Sequence, residues 1–217
     1  MLRFFYILVL LTTVFLIACQ SKPNDFSLVK KSQEVKPKVE VIIDCNYSFE
    51  EATAGTNAPK EVLNELTLIP VRYYSTDNKI HMGQLLTNKE IADNLIEIFD
   101  FILKLKFPIA HVIPIVKYDW DDNKSMTDNN SYSFCYRNTE FSKHAIGMAV
   151  DINPFFNPMR WKDDYKYRVN KPIGAVYNPA RQGTFSASNP VVLEFEKHGF
   201  RWGHNFTTKF DDHHFEK

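Results

Sequence analysis

The sequence has no Cys-x-x-Cys pair among its three cysteines and no excess of either charge, with 26 basic and 26 acidic residues in a chain of 217. The first absence argues against a cysteine-built zinc site. The second removes the electrostatic footprint of a nucleic-acid partner and that of a polybasic membrane patch. No internal repeat divides the chain, so a solenoid or array is excluded. No glycines flank Ser142 as they would in a nucleophile elbow, which argues against a serine hydrolase built from Ser142, His144 and Asp151. The apolar run at residues 4–16 is shorter than a comfortable bilayer span.

That short run follows Arg3 and has the size of the apolar region of an export signal. It ends in Leu16, Ile17, Ala18 and Cys19, which resembles the lipobox of bacterial lipoproteins. The resemblance implies cleavage before Cys19, a lipid on that cysteine as the membrane contact, and an exported protein facing the periplasm or cell wall. Residues 1–18 are then a signal peptide. Residues 19–38, rich in Ser, Lys, Pro, Asn, Gln and Glu without an apolar period, are a tether. Residues 39–217 are long enough for one domain with a sizeable core. Export permits a disulfide between Cys45 and Cys135, and the sequence leaves that pairing open.

Within the domain, residues 66–74 are β-branched and aromatic and predict a strand, with Pro70 pointing to a sheet edge. Thr87 and Glu90 have the spacing of a capping box. Behind them Ile91, Leu95, Ile98, Ile102 and Leu105 form one apolar stripe on a helix that ends near Lys106. Residues 112–118 predict a second strand, and residues 119–130 a polar loop of the kind that carries function. Residues 149–152 read as a strand. Residues 154–190 hold five prolines and read as irregular. Asn189 and Pro190 suit the start of a short helix closed by Gly199, and residues 200–203 resume as a strand. Mixed elements without regular βαβ alternation predict an α+β fold.

Chemistry concentrates in two segments, one spanning Ser142, His144, Gly147, Ala149 and Asp151, the other Asp211, His214 and Glu216. Together they offer two imidazoles, a carboxylate and a further acid, the inventory of a catalytic zinc site with three ligands, an open position and a base. His144 and Asp151 are seven residues apart. On one helix that is about 10 Å along the axis, too far for one ion, so the chain must bend at Gly147. His213 competes with His214, because neighbours on a strand face opposite ways and only one can meet the metal.

The pattern Ser-x-His-x-x-Gly-x-Ala-x-Asp over residues 142–151 resembles the signature of the D-alanyl-D-alanine carboxypeptidase metallopeptidases. Asp211-x-x-His214-Phe-Glu216 resembles that family's second motif. The run from Asp151 to Pro158, Arg137, Trp202 with Gly203, and residues 128–130 are similar to its carboxypeptidase-like branch. The resemblance extends over residues 70–217 and implies zinc held by His144, Asp151 and His214. It further implies Asp211 as general base and Arg137 as the cation that binds substrate or stabilises an oxyanion. Ser142 and Glu216 either orient ligands or are structural. His204 stands where the family more often has a second glycine. The implied fold is a single domain with a central antiparallel sheet and flanking helices, shared with hedgehog-type domains. The implied activity is zinc-dependent hydrolysis of peptidoglycan stem peptides, at a D-alanyl-D-alanine or an L-alanyl-D-glutamate bond. A non-catalytic, zinc-containing wall-binding lipoprotein is the alternative.

Overall fold

A long hairpin organises the fold in the computed structural model, which describes residues 40–139, 142–162 and 168–217. The expected export signal, Cys19 and the expected tether lie outside the described residues. The hairpin strands are β2 (Leu66–Ser75) and β3 (Ile80–Asn88), reversed at Asn78, whose φ of 67° is one that asparagine tolerates. The sequence reading had no strand at β3, because Gly83 and Gln84 interrupt its apolar pattern. Strand β1 (Val41–Ile43) pairs parallel with β3, and β4 (Pro108–Ile109) pairs parallel with the end of β2. The sheet order is therefore β1-β3-β2-β4, and β2 is internal rather than an edge. Its second neighbour covers only Tyr74 and Ser75, so Pro70, which lacks an N–H, still meets no partner on that side.

Two short helices, α1 (Phe49–Ala52) and α2 (Lys60–Asn64), precede the hairpin, and α3 (Lys89–Leu105) follows it. The helix buries Ile91, Ala92, Leu95, Ile98, Phe99 and Ile102 against Ile69, Val71, Tyr73 and Leu85 of the sheet. Leu105 of the expected stripe is instead 45% exposed at the last turn. The helix stops where Lys106 turns left-handed. Leu95 is fully enclosed, so Leu95→Ala costs about 2–5 kcal/mol. The cap is one residue from its expected place. Asn88 accepts from the Glu90 N–H at 2.9 Å, while the Thr87 hydroxyl donates to the carbonyl of Gly147 at 3.1 Å. A tertiary partner thus outcompetes the local capping box.

The predicted strand at residues 112–118 is a two-residue β5 (His111–Val112) followed by a 3₁₀ turn at Ile115–Tyr118. Pro114 interrupts it, and Ile113 gives its N–H to the Asn130 side chain instead of a ladder. The polar loop contains α4 (Asp122–Thr127), capped by Asp121, and then β6 (Asn130–Ser131), which pairs with β5. Next come β7 (Ala149–Asp151) and β8 (Met159–Trp161), the latter a strand inside the segment read as irregular. Helix α5 (Pro190–Lys197) starts as expected, with Asn189 accepting from the Val191 N–H. Strands β9 (Arg201–Trp202), β10 (Lys209–Asp211) and β11 (His214–Glu216) close the chain.

The helices and strands make an α+β fold. In place of one central antiparallel sheet, the described strands form four: the mixed sheet above, antiparallel β7-β11-β9, and the pairs β10-β8 and β5-β6. One core joins the first two sheets, since Val150, Trp202 and Phe215 pack in the same cluster as α3 and α5. Cys45 and Cys135 are both free, and burial pushes each thiol up to about 11, so neither is a reactive thiolate.

Candidate metal centre

Three of the five residues singled out as functional meet at one point. Residues Lys143–Ile146 form a 3₁₀ turn that ends at Gly147, and β7 starts two residues later. Gly147 has φ of 70°, and a Cβ there would stand 2.7 Å from the Asn88 nitrogen. The bend expected between His144 and Asp151 thus requires glycine on both conformational and steric grounds. In the β7-β11 ladder His214 lies opposite Asp151, so cross-strand register delivers the third side chain.

His144 Nε2, Asp151 Oδ1 and His214 Nδ1 form a triangle with edges of 3.1, 3.0 and 3.0 Å. Tautomers are set from behind. His144 Nδ1 lies 2.6 Å from the Ser133 carbonyl, and His214 Nε2 lies 3.1 Å from Glu216 Oε2. Each of those outer partners only accepts, so each ring places its proton outward and its lone pair inward. A neutral pair of rings would therefore aim two lone pairs at a carboxylate oxygen, inside a site where all three residues are buried. Such a cluster could hold a cation. Donors 3.0–3.1 Å apart can share one ion whose bonds to nitrogen and oxygen run about 2.0–2.2 Å, and the N,N,O set suits zinc.

Proton affinities report the same field. Burial would lower the His214 pKa, but hydrogen bonds to Asp151 and Glu216 and the charges of Asp151 and Asp211 push it up to about 10. Burial also penalises ionised Asp151, yet the charges of His144 and His213 and the hydrogen bonds from His144 and His214 hold it well below the usual carboxylate range. In the metal-free protein a proton takes part of the cation's role. One proton can bridge only part of the triangle.

The triangle opens into a cavity of about 430 Å³ that Asp211, Arg137, Ser142 and Glu216 also line. Asp211 is buried, and the penalty of that burial is outweighed by the positive charges of His213, His214 and Lys209, so its carboxyl stays ionised. Its Oδ2 lies 2.7 Å from Lys209 Nζ. Its Oδ1 has no hydrogen-bond donor among the described residues. His213 Nε2 stands 3.0 Å from that oxygen but off the hydrogen-bonding direction.

Sequence reasoning let only one of His213 and His214 face the metal, and it passed over Asp122 and Tyr132. His213 lines the same cavity as His214, because residues 212–213 are a turn between β10 and β11 and the strand rule of opposite faces does not apply. Its Nδ1 lies 2.8 Å from the Asn157 carbonyl. Asp122, the first residue of α4, binds Arg137 Nη2 through Oδ2 at 2.6 Å. Tyr132 gives its hydroxyl to the other oxygen of Asp122, lies 3.1 Å from Arg137 Nη2, and stacks on the His144 ring. The polar loop therefore fixes the arginine. An acid following a capping aspartate was the available signal, and it looked like ordinary turn chemistry. Ser142 reaches the cavity without capping the turn it precedes.

Residues 136–217 match the family model described as D-alanyl-D-alanine carboxypeptidase. The two motifs at residues 142–151 and 211–216 both lie inside that matched segment, so the match agrees with the resemblance read from them. No curated protein and no solved structure matches the chain.

Proposed function

From a C-terminal segment that carries the motifs of the D-alanyl-D-alanine carboxypeptidase family and matches its model, we propose that this protein is a zinc-dependent peptidase acting on peptidoglycan stem peptides. The bond is of the D-alanyl-D-alanine or the L-alanyl-D-glutamate type, and the fold is of the kind shared with hedgehog-type domains. The observation that carries the reading is the conjunction of a buried triangle of two imidazoles and a carboxylate with Asp211, one of whose oxygens lacks a donor, on the same cavity.

His144, Asp151 and His214 would hold the ion. Zinc in such a site lowers the pKa of a bound water to about 7 and polarises a carbonyl. Asp211 Oδ1, ionised and without a donor, accepts the attacking water's proton and passes it to the nitrogen of the leaving amine. A positioned acid–base group of this kind contributes about 10²–10⁴-fold. Arg137 offers a permanent planar cation to the developing oxyanion or to a substrate carboxylate, held in place by Asp122 and the Tyr132 hydroxyl. Glu216 and the Ser133 carbonyl keep the two ligand rings in the required tautomers. As part of the same proposal, export and a lipid on Cys19 would place the enzyme beside its polymer substrate.

The test is incubation of the zinc-replete protein with purified muropeptides, read by mass spectrometry, against a chelated sample and Asp211→Ala. Cleavage that needs both the metal and Asp211 is expected. Full zinc occupancy with no stem peptide cut would replace this reading with a wall-binding module.

A further inference from the structure

Between Asp211 and His213 lies a carboxylate that points away from the cavity. Asp212 is fully buried, and its Oδ2 accepts both Nε and Nη2 of Arg160, at 3.0 and 2.7 Å. Its Oδ1 is 2.6 Å from His204 Nδ1, and its main-chain carbonyl accepts the indole N–H of Trp202 at 2.9 Å. Side chain and main chain of one turn residue are thus pinned from three directions.

The pins are themselves held. The Arg160 guanidinium lies over the rings of Tyr177 and Phe210, at 4.2 and 5.0 Å from their centroids. The His204 ring stacks on Trp202 at 4.5 Å and leans on Phe210 at 4.8 Å. Arg160 faces Phe210 across the β8-β10 ladder, one position before Asp211. Gly203 completes the packing, since a Cβ there would stand 2.7 Å from the Asp211 carbonyl oxygen and 3.1 Å from His214 Cβ. A buried ion pair adds little net stability over apolar packing, and its best-attested contribution is a unique geometry. The geometry at stake here is that of the turn leading from Asp211 to His214.

We propose that Arg160, Asp212 and His204 are positioning residues, a clamp that holds the 211–213 turn so that the Asp211 carboxylate lines the cavity. The inference rests on the reading of Asp211 as the base. It also explains His204, the position at which the sequence departs from the motif: the imidazole supplies the second pin on Asp212. His214 is held independently, by its pairing opposite Asp151 and by Glu216, so loss of the clamp falls on Asp211 more than on the metal.

The test uses the full-length protein with Asp212→Asn, Arg160→Lys and His204→Gly, and three readouts: hydrogen exchange across residues 203–214, zinc affinity by chelator competition, and steady-state hydrolysis of a stem pentapeptide. Exchange should quicken in that segment and stay unchanged in α3. In Asp212→Asn, kcat should fall about 10–100-fold while KM and zinc affinity hold within about threefold. His204→Gly should move the same readouts less. Arg160→Lys keeps the charge but loses the fork, and it serves if Asp212→Asn does not fold. Unaltered exchange in folded variants overturns the clamp, as does a kcat loss that excess zinc repairs. Wild-type protein that binds zinc but cuts nothing overturns the peptidase reading alone, and exchange still decides the clamp.

Discussion

Two of the places where the described residues set histidine among carboxylates differ in what they can bind, and of the two only the cluster of His144, Asp151 and His214 could hold a metal. At the N-terminal end of the mixed sheet, His81 Nδ1 lies 2.9 Å from Asp44 Oδ1 and Nε2 lies 3.2 Å from Asp77 Oδ1. The Tyr73 hydroxyl donates to the other Asp44 oxygen. The ring nitrogens there point to two different carboxylates on opposite sides of the ring, and these contacts tie the residue after β1 to the hairpin. At His144 and His214 the outward nitrogens face Ser133 and Glu216, and the inward ones converge with Asp151 Oδ1 on one point. Composition does not separate the two sites. The convergence of two ring nitrogens on one carboxylate oxygen does.

The hardest break in that contrast is loss of the triangle or of its base. His144→Ala or Asp151→Ala should abolish stoichiometric zinc retention and hydrolysis together. Asp211→Ala should keep the metal and lower kcat by about 10²–10⁴-fold. Metal analysis beside kinetics separates these outcomes, and a metal-free Asp211→Ala protein would contradict the assignment. Next in size is the group behind a ring. Glu216→Ala frees the tautomer of His214 and should weaken zinc binding by about 10–100-fold, measured by chelator competition.

A pH series sharpens the comparison further. His214, raised from 6.5 to about 10 in the metal-free protein, adds stability that is fully present below pH 6.5 and lost as pH climbs through 10. Asp151 and Glu216, both shifted downward, stay ionised throughout that window and add no slope. Bound metal keeps the ring deprotonated, so that loss should be missing from the zinc-replete protein, and zinc affinity should rise across the window. Melting temperatures of chelated and replete samples that fall in parallel would count against it. The smallest effect on the metal belongs to the His81 cluster. Asp44→Ala strands the Tyr73 hydroxyl and should cost about 1–3 kcal/mol in urea denaturation, with zinc affinity unchanged.

Legibility followed the range of the interactions involved. The α3 stripe, the Asn189–Pro190 helix start and the bend at Gly147 were readable because each rests on neighbours within a few residues. Strand β3 and the cap at Asn88 were not. Gly83 and Gln84 hide the first, and a hydrogen bond across sixty residues, from Thr87 to Gly147, moves the second. At the site the motif spacing marked His144, Asp151, His214, Asp211 and Arg137 for attention. It was silent on Asp122, which anchors the arginine from another element, and it placed His213 on the wrong face by treating a turn as a strand.

What the chain alone determined is the set of chemical groups and the local turns that carry them: two imidazoles, two carboxylates, and glycines where backbone must bend or approach closely. Only the tertiary structure decided which nitrogen of each ring faces inward, which oxygen of Asp211 lacks a donor, and what grips the turn between them. Those properties depend on carbonyls, carboxylates and rings brought from distant segments, and a lone pair has a direction only once its neighbours are in place.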